Sequence, residues 1–160
     1  MEFTRERCIM NDIIQNAIIL SVLSLIDEIP VKDGVNHPAE YIINKSLSDH
    51  HDDLCFWLLS FIRKEKDCFE VESVVKLVGR VIENNHDEQN TWGYEFMYHA
   101  LSHEDVGVRD EAVQALEAWG GLMSKNLLND HVEEVPWLRD YIERVILHLN
   151  LQELSNRTEK

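Results

Sequence analysis

Apolar residues recur along this chain mainly at steps of three and four, the spacing of one face of an α-helix, rather than at the step of two that marks a half-buried strand. Asn11 or Asp12 is placed to cap a helix running to about Glu28. Its apolar positions, Ile13, Ile14, Ile18, Ile19, Leu23 and Ile26, lie nearly all the way round, the mark of a central element. Pro30 and Gly34 end it. Asn36 offers a cap and Pro38 a first-turn residue for a short helix, PAEYIINKSL, followed by the polar link SDHHDD and a strongly apolar helix from Leu54 to Arg63. Glu70 or Glu72 opens the next helix, VESVVKLVGRVIENN, with Val71, Val74, Val75, Val78 and Ile82 on one face. HDEQNTWG reads as a loop. Tyr94 to Leu101 and Val106 to Trp119 read as helices, the second stopped by Gly120 and Gly121. A last long helix follows Pro136, with an apolar stripe of Leu138, Tyr141, Ile142, Val145, Ile146 and Leu149 and a four-residue ion pair from Asp140 to Arg144. Residues 1–154 form a single helical domain on this reading, and 155–160 a fraying tail.

Two stretches of this pattern match each other. Laying Leu47-Ser48 on Leu101-Ser102 superimposes AEYIINKSLSDHHDDLCFWLLSFI on YEFMYHALSHEDVGVRDEAVQALEAW, with apolar residues paired at 42/96, 43/97, 54/108, 58/112, 59/113 and 62/116. Both read helix, acidic turn, helix, and such units bury their apolar faces by stacking on one another. The fold expected is therefore all-α: a short, irregular α-solenoid-like stack of antiparallel helix pairs. The second copy, LSHEDVGVRDEAVQALEAWGG, resembles the second half of a HEAT repeat in Leu101, Asp105, Val108-Arg109, Ala112, Ala115-Leu116 and Gly120. That resemblance implies that Asp105 caps the inner helix and that Arg109 bonds to a neighbouring turn or carboxylate. The first copy departs from it, with Cys55 where the arginine belongs. Independently of the resemblance, small residues at 112, 115 and 118 let helices approach closely.

Composition narrows the function classes. Of the 160 residues 44% are apolar, enough for a core at this length, and six glycines and three prolines are too few for a strand-rich fold with many tight turns. Thirty acidic against fifteen basic residues give a net charge of −15, spread along the chain. Such a field disfavours nucleic acid and anionic lipid and favours a basic protein partner. Cys8, Cys55 and Cys68 are odd in number and lack CxxC spacing, which suits a reducing, cytoplasmic setting. The run AIILSVLSLI falls short of the roughly twenty residues of a membrane span and lacks the flanks of a signal peptide, so it reads as a buried helix.

Candidate chemistry is sparse. DHHDD at 49–53, with His37 upstream, gathers metal-ligand residue types, and His51-Asp52 resembles the paired ligands of HD-type phosphohydrolases; His86-Asp87 and His131 are further candidates. DHHDD serves equally as a solvated turn and helix cap. No GxSxG and no glycine-rich phosphate loop occurs, and Glu133-Glu134 sits where carboxylates suit a helix N-terminus. No metal and no cofactor is expected. Trp92, Tyr94 and Tyr98, among Asp87, Glu88, Glu95, Glu104 and Asp105, make an acidic, aromatic contact surface, with core packing as the rival account for the tyrosines. A small acidic helical protein with irregular repeats resembles the immunity proteins that bacteria carry against secreted nuclease toxins. The resemblance implies a noncatalytic protein that covers a basic toxin's active site. An adaptor or assembly chaperone, a DNA-mimic inhibitor and an HD-like phosphohydrolase are the other readings.

Overall fold

The computed structural model describes residues 2–65, 67–84 and 91–158, with side chains from Asp12 onward. Eight helices cover them: α1 (Glu2–Glu28), α2 (Pro38–Asp49), α3 (His51–Lys64), α4 (Cys68–Asn84), α5 (Thr91–Leu101), α6 (Val106–Trp119), α7 (Gly121–Asp130) and α8 (Pro136–Thr158). No strand occurs among the described residues, so the fold is all-α.

Local chemistry sets the helix ends. The cap of α2 is His37, not Asn36: its Nδ1 accepts from the Ala39 amide at 3.1 Å while Glu40 accepts from the His37 amide at 3.1 Å, a reciprocal capping box with Pro38 at the first helical position. The other ring nitrogen meets the Ile29 carbonyl oxygen at 2.8 Å, so both sides of this buried imidazole are occupied. α4 begins at Cys68, two residues before Glu70 and four before Glu72, because Asp67 accepts from the amides of Phe69 and Glu70. α1 runs back past Asn11 and Asp12 to Glu2. At α6 the Asp105 carboxylate accepts from Gly107 at 2.8 Å and Val108 at 3.2 Å, the capping role implied by the resemblance. Gly120, at φ 65°, ends α6 and Gly121, at φ 76°, begins α7, a helix that the apolar pattern does not predict. α8 continues through residues 155–158, expected as a tail, with those four exposed. Arg144 lies over the Tyr141 ring, 5.7 Å from its centre, rather than against Asp140.

The helices touch in alternating succession. α1 meets α3, α3 meets α5 and α5 meets α7, while α2 meets α4, α4 meets α6 and α6 meets α8. Consecutive helices pack as well, α5 on α6 and α7 on α8 among them. This is the contact pattern of a stacked-helix fold, and one continuous core, from Ile18 on α1 to Leu149 on α8, runs through it. α4 and α6 approach closely. There a Cβ on Gly79 would lie 2.9 Å from that of Ala115, and Trp119 Nε1 donates to the Gly79 carbonyl at 2.9 Å. Ala112 and Ala115 are buried at this contact and Ala118 is exposed.

Candidate partner-binding edge

The orientation of the helices brings their ends together. α3 and α5 run the same way, since His51 faces Trp92 at one end and Arg63 reaches Glu95 and His99 towards the other. α1 lies alongside, with Gln15 reaching Asp53 near the start of α3 and Asp27 close to Glu70 beyond its end. The C-terminal ends of α1, α3, α5 and α7 therefore share one edge. One groove joins Arg63–Glu65 to Ser102–Glu104, and the next joins Ser102–Glu104 to the connection from His131 to Val135.

Acidic side chains line this edge: Asp27, Glu65, Asp67, Glu70, Glu104, Asp105, Asp130, Glu133 and Glu134. Their mutual influence shows in the groups between them. Burial, and then the carboxylates of Asp67, Glu65 and Asp27, raise the Glu70 carboxyl above its ordinary value. Burial, with Asp105, Glu104 and Asp67 beside it, likewise raises the Cys68 thiol. Asp105 moves the other way: partial burial opposes its charge, but the amides of Val108 and Gly107 more than compensate.

A clamp holds the edge in shape. Arg109 donates through Nε and Nη2 to both oxygens of Glu133, at 2.9 and 3.0 Å, and through Nη1 to the carbonyls of His103 and Glu104, each at 2.9 Å. This fulfils the role that the HEAT resemblance implied for Arg109 and ties the α5–α6 turn to the α7–α8 connection. His131 Nε2 meets the same Glu133 carboxylate at 3.1 Å, and the Val135 amide donates to it at 2.9 Å. Against the cost of partial burial, these partners hold the Glu133 carboxyl down at about 2. Glu133 thus has a structural partner that its place before a helix did not reveal.

Six basic side chains, Arg63, Lys76, Arg80, Arg109, Lys125 and Arg157, pair with carboxylates of the chain itself, while Lys64 stands exposed in the first groove. Lys76 bridges Asp33 at 3.0 Å and Glu111 at 2.9 Å, and Arg80 contacts Glu40 at 3.2 Å and donates to the carbonyls of Lys32 and Val35. That network fastens the 29–37 segment onto α4. Arg63 donates to Glu95 at 3.2 Å and to the His99 ring, whose pKa is lowered by burial and by the guanidinium. Lys125 and Arg157 both hold Glu153. Glu104, Asp130 and Glu134 remain exposed on the edge.

The contact residues expected from sequence are not all brought together. Asp87 and Glu88 lie outside the described residues. Tyr94 is buried, its ring edge-on to Trp119 at 5.3 Å, so it belongs to the core and not to a contact surface. Trp92 packs partly against the core at the start of α5, its ring edge-on to His51 at 6.4 Å and its buried Nε1 without an acceptor among the described residues. Eleven residues of helix, about 16 Å, separate that end from Glu104 and Asp105. Glu95 and Tyr98 share the exposed side of α5, Glu95 paired with Arg63 and Tyr98 55% exposed. Glu104, Asp105 and Tyr98 thus remain near the acidic edge, whereas Trp92 stands away from it.

The residues considered for metal chemistry are dispersed. His51 contacts Asp52 at 3.3 Å and lies 3.8 Å from the Cys55 sulfur, but Asp52 projects into solvent. Among the described residues no three His, Cys, Asp or Glu side chains converge. His37 is used in its cap, His131 contacts Glu133, and His86 and Asp87 lie outside the described residues. Burial, then Asp52, pushes the Cys55 thiol up to about 12, so it packs as a small hydrophobe. Among the described residues no helix is long and apolar enough to cross a membrane. No family model matches the chain, and neither does any curated protein or solved structure.

Proposed function

We propose that this chain is a noncatalytic protein-binding module whose acidic edge docks a basic protein. In its most concrete form it is a bacterial, cytoplasmic immunity protein that covers the active site of a nuclease-type toxin. The observation that carries the reading is the placing of carboxylates from four helix ends along one edge; at one end of it burial, and then Asp67, Glu65 and Asp27, raise the Glu70 carboxyl. A cationic surface laid there relieves that repulsion, so part of the binding free energy is already stored in the unbound protein. The Arg109 clamp fixes the edge before a partner arrives, which limits the ordering cost of association. A nuclease active site presents Lys and Arg arranged for phosphates, and Glu104, Asp130 and Glu134 supply anions to meet them, with the half-exposed Tyr98 ring nearby as an apolar anchor.

Copurification from the native host, followed by titration against the basic toxin domain recovered, tests this function. Tight one-to-one binding that weakens steeply with salt and abolishes the toxin's cleavage of nucleic acid is the expected result. Salt-insensitive binding, or a partner without a basic face, would count against it. The phosphohydrolase reading has its own test in titration with zinc, manganese and nickel: stoichiometric binding of any of them at His51 and Asp52 would overturn the noncatalytic assignment. Affinity for the basic partner should fall on acidification, beginning above the ordinary carboxylate range, because burial and then Asp67, Glu65 and Asp27 raise the Glu70 carboxyl, which gives up its charge first.

A further inference from the structure

The last helix carries apolar residues on two faces. Leu138, Ile142, Val145 and Leu149 point inward and are buried. Leu147, Leu151 and Leu154 stand on the opposite side, 59%, 56% and 58% exposed. Their steps of four and then three are those of a coiled-coil seam, with Leu147 and Leu154 at d positions and Leu151 at an a position. α8 thus turns leucines to solvent on the face away from the core.

The charges on the same helix indicate what covers them. Arg139, Arg144 and Arg157 balance Asp140, Glu143 and Glu153, so α8 carries no net charge in a chain of −15. Two copies meeting on α4, α5 or α6 would bring one acidic excess against another; meeting on α8 they do not. Laid antiparallel on itself, the seam sets Leu151 against Leu147 of the second copy, twice by symmetry, and Leu154 over the aliphatic stem of the second copy's Arg144. At the flanking g positions Glu143 then faces Arg157 of the second copy, again twice, and Asn150 meets its own counterpart at the two-fold axis. Arg157 holds Glu153 at 2.6 Å, but its side chain is 72% exposed and keeps donors free for a second carboxylate. A parallel pair would offer Glu143 only His148. We propose that two copies of this chain associate through α8 as an antiparallel helix pair in this register. The acidic edge is not part of this contact, so the dimer and the binding of a basic partner stand or fall separately.

A single helix stripe offers less than the roughly 800 Å² per partner of a standard interface, so the dimer is expected to dissociate on dilution. Sedimentation velocity of the full chain over a concentration series should show a shift from monomer to dimer. Leu151→Glu should keep the protein monomeric throughout while its circular dichroism stays helical, since Leu151 is exposed in the monomer. Leu20→Glu, at an equally exposed apolar site on α1, should leave the dimer intact. Glu143→Arg should weaken it and the double variant Glu143→Arg/Arg157→Glu should restore it. A wild-type monomer at every concentration, a dimer that survives Leu151→Glu or one that is lost with Leu20→Glu would each overturn the proposal, and a double variant that fails to recover would overturn the antiparallel register.

Discussion

Arg109 donates to four oxygens, two on Glu133 and two on the backbone of the α5–α6 turn. Its side chain is only 13% exposed and that of Glu133 only 2%, so removing either partner leaves a charge without its counterpart in a poorly solvated place. Arg109→Ala and Glu133→Gln should each cost about 3 kcal/mol in chemical unfolding, far more than an exposed ion pair is worth. The pH dependence follows from the lowered Glu133 carboxyl. Its stabilisation is complete above its unfolded value near 4.5 and drains away as the pH falls towards about 2. Comparison of urea midpoints for wild type and Glu133→Gln should show a gap that is constant at neutral pH and closes over that acid range. Asp105 acts on a smaller scale: loss of its two amide contacts in Asp105→Ala should cost about 1 kcal/mol.

Among the elements, α4 and α6 form the most intimate pair, and Gly79 permits it. Gly79→Ala should destabilise by roughly 1–3 kcal/mol through overpacking against Ala115, and Ala115→Gly in the same chain should recover most of the loss, read from thermal or urea midpoints of the double-mutant cycle. The bounds of α6 are legible in the sequence because every local signal agrees: an Asp cap, apolar residues at helical spacing and a glycine stop. Those of α7 are not. It follows two glycines that read as the end of a helix, it is ten residues long, and only Ser124 and Leu128 on it are buried, so packing on its neighbours rather than its own pattern makes it helical. The offset of 54 residues between the matched stretches places α2 and α3 over α5 and α6, and Lys76 and Arg80 anchor the 29–37 segment that leads into the first pair. The carboxylates of the edge are visible in the sequence one by one, but their convergence depends on which helices run parallel, and helical periodicity carries no information about that.

At the scale of the whole fold, carboxylates gather along one edge in a chain whose charge of −15 is otherwise spread over its length. Lys76, Arg80, Arg109 and Lys125 are held by the chain's own carboxylates, and an acidic excess lies along the ends of α1, α3, α5 and α7. Long-range attraction acts chiefly on the rate of encounter, so the edge should reveal itself in kinetics before it does in affinity. The most direct measurement is the stopped-flow association rate with the basic toxin domain at several salt concentrations, using wild type, an edge variant (Glu104→Lys, Asp130→Lys, Glu134→Lys) and a control at the far ends of α2 and α3 (Asp49→Lys, Asp52→Lys). The edge variant is predicted to associate about tenfold more slowly at low salt and to lose most of its salt dependence, with the control close to wild type. Equal slowing by both variants, or by neither, would contradict the acidic edge as the docking surface.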